Sequence, residues 1–206
     1  MVFSKVHQHV IRHLKQQDFR RTLYIGPNGL AFPKVTTYRM HSIYDGCLPF
    51  ENRSIDFLFG QCHGPLPPPF VLQQELLRTC KRGLLTLRSP IAALTYDLPD
   101  EEDDERYAVW TETHTNRLCF LPMPFERVCL LDHTRFNGWK QLATINPLFL
   151  FNLYEWEHAM ELNLKIYPHT LCAEEFQVVL EEACEASVQH THSWMAMHES
   201  TFRDGE

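Results

Sequence analysis

Gly60-Gln61-Cys62-His63 places a thiol next to an imidazole. Cysteine attacks as its thiolate and needs a base beside it, and no feature of the sequence assigns that base. His63 could accept a proton at a strand edge, although a lone loop histidine is more often simply polar. His9 and His13 stand four apart, a spacing that lets two imidazoles share a metal on one helix face. No Asp, Glu or Cys joins them before Asp18, so a polar helix face is the expected role. His190-x-His192 near the end of the chain invites the same question and the same answer, a polar tail. Asp97 to Glu105 holds seven acids in nine residues, a run that repels itself and is expected to be a solvated loop. No metal is expected, and no catalytic residue is assigned.

The elements that must position these residues follow from periodicity. Ser4 to Gln17 sets Val6, Val10, Ile11 and Leu14 on one face of an expected helix, with Ser4 as its cap. Thr22 to Ile25 reads as a buried strand running into Gly26-Pro27-Asn28-Gly29, and Val35 to Met40 as a second. Ile55 to Phe59 is an apolar run that Gly60 is expected to break. A helix is expected from about Phe70, with Leu72, Leu76 and Leu77 inward. Lys81-Arg82-Gly83 reads as its basic last turn and glycine stop, before a further strand, Leu84 to Leu87. Strand, helix, strand is a βαβ unit, which closes right-handed in nearly all proteins. Ligands of such sheets lie beyond the carboxyl ends of the strands, here Gly60 to His63 and Arg88-Ser89-Pro90. Arg106 to Leu121 alternates around a turn near His114 to Asn116, as a hairpin does, and Phe125 to Leu131 is a strand candidate. Asn146 to Phe151 is apolar enough for the core, with an interface as the alternative. Leu162 to Tyr167 suits a terminal strand. Ala173 to Val188 is the clearest helix, striped by Phe176, Val179, Leu180, Ala183 and Cys184, and Gln189 to Glu206 reads as a tail.

Composition narrows the class. The chain has 206 residues, 44% of them hydrophobic and 22% charged, ordinary for a soluble globular domain. A net charge of −7 without a basic patch argues against tight nucleic-acid binding. Seven scattered cysteines without a CxxC pair point to reduced thiols inside a cell. No apolar stretch is long enough to span a membrane, and the first residues lack a hydrophobic leader. A cytoplasmic protein that avoids membranes is therefore expected. Eight glycines are about half the usual ~7%, few for a fold that spends glycine where backbone meets a nucleotide.

The strings LPFENRSIDFLF (48–59) and ELLRTCKRGLLTLRSP (75–90) carry a resemblance. Together they resemble the middle of a class I S-adenosylmethionine-dependent methyltransferase domain of the type 11-like kind, over about residues 23–90 and more loosely to 131. Arg106-Tyr-x-x-Trp-Thr and Asn116-x-Leu-x-Phe-Leu-Pro resemble an accessory hairpin in small methyltransferase-like proteins of phages and large DNA viruses. The resemblance implies an α/β fold: a Rossmann-like methyltransferase sheet with helices on both faces, plus an accessory β-hairpin and a C-terminal helix. Residues 1–206 then form a single domain, with its core at about 20–131 and an aromatic, helical extension at 132–206. The resemblance also implies a cofactor site. Gly26, Asn28 and Gly29 would hold the methionine and ribose part of S-adenosylmethionine, and Asp45 the adenine, with Gln61, Cys62 and His63 flooring the site.

The chain departs from the family pattern where the cofactor would touch. Tyr24 stands in the place of the acid that opens the glycine loop, and Pro27 removes a backbone donor from that loop. Arg39 to Ser42 offers no carboxylate for the ribose hydroxyls. Gly60 to Pro65 replaces a Ser-His-x-Leu-Glu-His string, and Pro65, Pro67, Pro68 and Pro69 forbid a regular helix there. The expectation is a methyltransferase fold with a degenerate site, used as a non-catalytic interaction or structural module. It would bind a protein partner or itself through the aromatic C-terminal region, in a virus particle if the viral resemblance holds. The alternative is an active methyltransferase of unassigned acceptor. A metal-dependent hydrolase built on His9 and His13 ranks far behind, because no carboxylate spacing completes the ligand set.

Overall fold

The computed structural model describes residue 12 and residues 19–26, 36–40, 47–62, 67–96, 107–124, 128–164 and 172–198, with backbone alone at 36–40, 96 and 162–164. The expected N-terminal helix apart from Arg12, the acidic run from 97 to 105 and the last residues of the chain lie outside them. The βαβ unit is present: β3 (Phe57–Cys62), α1 (Pro69–Thr79) and β4 (Arg82–Arg88), with β3 and β4 parallel and Phe59 level with Leu84. Pro69 opens α1, where its fixed φ suits the first helical position and its missing N–H costs nothing. Leu72 and Leu76 are fully buried against the sheet.

Two glycines behave differently from their expected roles. Gly60 does not break its strand; it pairs with Ile25 on one side and Leu85 on the other, and β3 runs on to Cys62. Gly83 is no helix stop. The helix ends at Thr79, Cys80 is extended, and Gly83 lies inside β4, where a Cβ would fall 2.5 Å from the Leu58 carbonyl oxygen and 2.8 Å from Cζ2 of Trp156. Glycine is required there by a neighbouring strand carbonyl and an indole rather than by a turn.

With β1 (Arg21–Ile25) and β2 (Thr36–Met40), these strands form a sheet in the order β2-β1-β3-β4-β7. The first four are parallel, and β7 (Phe151–Glu157) is antiparallel to β4. The chain is thus a mixed α/β protein with a mostly parallel central sheet, compatible with a Rossmann-like fold. Alternation sorts the side chains onto two faces. Leu23, Ile25, Leu58, Leu85, Tyr154 and Trp156 cluster with Leu72 and Leu76 of α1. Tyr24, Phe57, Phe59, Leu84 and Leu153 cluster with Leu148 and Trp194. A helix covers part of each face. β7 was not foreseen, because Asn152 and Glu155 interrupt its apolar pattern.

The hairpin is present as β5 (Tyr107–Glu112) and β6 (Arg117–Pro122), and β8 (Glu161–Leu164) adds to it in parallel with β6. One face, with Val109, Leu118 and Phe120, shares the α1 side of the main sheet. The other, with Ala108, Trp110, Cys119 and Leu121, packs on Phe136, Ala143, Phe176 and Leu180. The strand expected at 125–131 is absent among the described residues of that stretch. Val128 N–H reaches back to the Pro124 carbonyl at 3.1 Å and Leu131 N–H to Val128 at 3.3 Å. These turns bury Val128 and Leu131 at a spacing of three, not two. α2 (Pro90–Tyr96) packs on β5, and α3 (Asn137–Ile145) packs on α2.

α4 spans Ala173–Met197, nine residues further than the expected Val188. The presumed tail is a helix because the buried stripe continues through polar residues: Ser187, His190, Thr191 and Trp194 are all buried. At 1.5 Å per residue α4 is about 37 Å long, so its first half packs on the hairpin sheet and its last turns on the main sheet.

Candidate functional site

The strand order reverses between β1 and β3, since β2 lies beyond one and β4 beyond the other. Open α/β sheets bind ligands in the crevice at such a reversal, outside the carboxyl ends of the strands. Here that crevice is flanked by Gly26 after β1 and Gln61 near the end of β3. Tyr24 of β1 stands beside it. Its side chain is fully buried, its ring lies 5.7 Å from that of Phe59, and its hydroxyl donates to Gln61 Oε1 at 2.8 Å. A Cβ placed on Gly26 would collide with that hydroxyl and lie 2.7 Å from Cζ of the same ring, with Gln61 Cβ at 3.2 Å. The bare backbone of Gly26 therefore makes room for the protein's own phenol.

Cys62 points to the other face, into the cluster of Leu58, Leu85 and Leu87. Burial pushes its thiol up to about 12, against the thiolate form that nucleophilic attack requires. Of the residues expected to bind cofactor, Gly26 and Gln61 are brought together and Cys62 is turned away. Asn28, Gly29, Asp45 and His63 lie outside the described residues. At the second expected edge, the buried Ser89 hydroxyl donates to the Phe149 carbonyl at 2.7 Å and accepts from Ala92 N–H at 3.2 Å, which uses it structurally.

The acids and bases of the resembling strings hold the scaffold. The Glu75 carboxylate accepts the Leu48 N–H at 2.6 Å and pairs with Arg78. The guanidinium in turn donates to the carbonyls of Leu48 and Phe50 and to Asn52. The Arg78 hydrogen bond, helped by the Leu48 N–H, holds the Glu75 carboxyl below its ordinary value against the opposing effect of burial. Asp56 accepts from the N–H groups of Arg20 and Arg21 at the start of β1. No family model, curated protein or solved structure matches the chain.

A polar seam between α4 and β7 escaped the sequence reading. His190 Nε2 lies 2.6 Å from the Leu153 carbonyl, and Nδ1 has no partner. The carbonyl requires a proton on Nε2, and burial lowers the pKa of the ring against the opposing effects of that carbonyl and of Glu155. Trp194 Nε1 donates to Glu155 at 3.1 Å, and Asn152 donates to Thr111 across to the hairpin sheet at 3.0 Å. The signal that could have found these residues is their spacing, which carries on the stripe from Phe176. No group of three or more His, Cys, Asp or Glu able to hold a metal occurs among the described residues. No described helix is long and apolar enough to cross a membrane.

Proposed function

We propose that the chain is a methyltransferase-like protein whose S-adenosylmethionine site is degenerate, and that it serves as a non-catalytic interaction or structural module. The observation that carries this reading is Tyr24. It occupies the position of the family's acid, is sealed from solvent, and fills the space over Gly26 with a phenol bonded to Gln61. A glycine loop serves a cofactor by letting ligand approach backbone; this glycine admits a side chain instead. The residues present do not fit the cofactor at that point, and the protonated, inward Cys62 adds no chemistry there. Meanwhile Glu75, Arg78 and Asp56 keep the framework intact. Framework without a grasping tip is what a module derived from an enzyme would retain.

The strand-order reversal favours a second reading, an active methyltransferase whose crevice opens to take the cofactor. Catalysis would then rest on positioning the sulfonium and acceptor in line, with Tyr24 displaced. Calorimetric titration with S-adenosylmethionine and S-adenosylhomocysteine separates the two. Silence at millimolar ligand is expected, and micromolar binding would overturn the module reading.

A further inference from the structure

The turn at His133–Phe136 leads into α3 and is tied to α4 from one side. The Arg135 guanidinium pairs with Glu181 through Nε at 2.7 Å and Nη2 at 2.9 Å, and Gln177 Oε1 accepts the Asp132 N–H at 3.1 Å. Beside this tie the two helices leave an open groove of about 490 Å3, lined by Arg135, Trp139, Val178, Glu181, Glu182 and Glu185. Its floor is apolar: Trp139 is half-buried, and Val178 is 45% exposed. Its rim is acidic, and the charges are unbalanced. Three carboxylates face one guanidinium, and that guanidinium is committed to Glu181. Glu182 meets no cation among the described residues, and Glu185 accepts only the neutral Gln189 amide at 3.3 Å. Like charges three and four apart on a helix repel one another, and of these three carboxylates only Glu181 has a cation among the described residues.

We propose that this groove docks a cationic amphipathic helix of a protein partner. A groove between two helices accepts a third by taking its apolar anchors. Leucine-type side chains lie on Trp139 and Val178, and Lys or Arg of the partner meets Glu182 and Glu185, with an arginine able to stack on the indole. The docking names a partner class for the interaction-module reading and rests on it. The cofactor titration reports on β1 and β3, whereas this site is on α3 and α4, so each can fail alone.

The test is calorimetric titration of the full chain with a short helical peptide of leucines and lysines at amphipathic spacing. Two counterparts accompany it, one with glutamate for lysine and one with alanine for leucine. Binding of the leucine–lysine peptide alone is expected. The pair Glu182→Lys and Glu185→Lys should weaken it by about tenfold or more. The pair Glu51→Lys and Glu157→Lys, which changes net charge equally at exposed positions away from the groove, should leave it unchanged, with circular dichroism showing both variants folded. Equal loss in both pairs, equal binding of the alanine–lysine peptide, or no binding by the wild-type chain would each overturn the proposal.

Discussion

The Tyr24 hydroxyl donates to the Gln61 side-chain carbonyl across the β1–β3 pair, at the point where the strand order of the sheet reverses. Two neighbouring strands are thereby tied side chain to side chain next to the place where such sheets take ligands. Tyr24→Phe removes this bond and leaves the Gln61 oxygen half-buried without it, and should cost about 1 kcal/mol in chemical denaturation. Gly26→Ala should cost more, about 1–3 kcal/mol, as overpacking against the ring. In a Tyr24→Leu background that penalty should shrink markedly, since residues in contact couple. An alanine penalty that is the same in both backgrounds would mean that the phenol does not fill the space over Gly26.

Glu75 and Arg78 fasten residues 48–52 to α1. Arg78→Ala releases two backbone carbonyls and the Glu75 carboxylate, and should destabilise by about 1–3 kcal/mol. Glu75 also sets an acid limit. Its folded-state pKa lies below the ordinary 4.5, so its contribution is present above that value and fades as pH falls through the folded pKa. Glu75→Gln should flatten the decline in unfolding midpoint below pH 4.5 relative to wild type.

His190 acts in the opposite pH range. Burial outweighs the Leu153 carbonyl and Glu155 and lowers its pKa from 6.5. Below that value the unfolded chain takes up a proton that the folded chain refuses, so stability falls as pH drops under 6.5. In His190→Gln, whose amide can still donate to Leu153, urea midpoints should fall less steeply between neutral pH and pH 5.

A chain ending at Val188 should fail to fold cooperatively, because it loses His190 and Trp194 from beneath the main sheet. Trp194→Ala alone should cost about 3–5 kcal/mol, measured by thermal or denaturant unfolding.

Thiol labelling under native conditions should modify Cys47, Cys129 and Cys172, which are exposed. Cys62, Cys80, Cys119 and Cys184 are buried, and burial raises Cys62 and Cys80 to about 12. They should react only after denaturation, as mass spectrometry of the labelled chain will show.

What the sequence determined by itself was local. The apolar runs of β1, β3 and β4, the alternation of β2, the Leu72–Leu76 stripe of α1 and the alternation around residues 113–116 each encode one element, because strand and helix periods are written in neighbouring residues. The fastening roles of Asp56, Glu75 and Arg78 were not legible, because the backbone groups they hold lie 27 to 36 residues away along the chain. The tertiary structure decided the rest. Gly83 looks like a helix stop until Trp156, on a strand far along the chain, is laid over it. Gln189 to Met197 looks like a tail until Leu153 and Glu155 give His190 and Trp194 their hydrogen-bond partners. Gly26 gives no sign in the sequence that the Tyr24 ring, held by Gln61, lies against it. In each case the deciding neighbour comes from another element, and a polar or missing side chain declares its role only when that neighbour arrives.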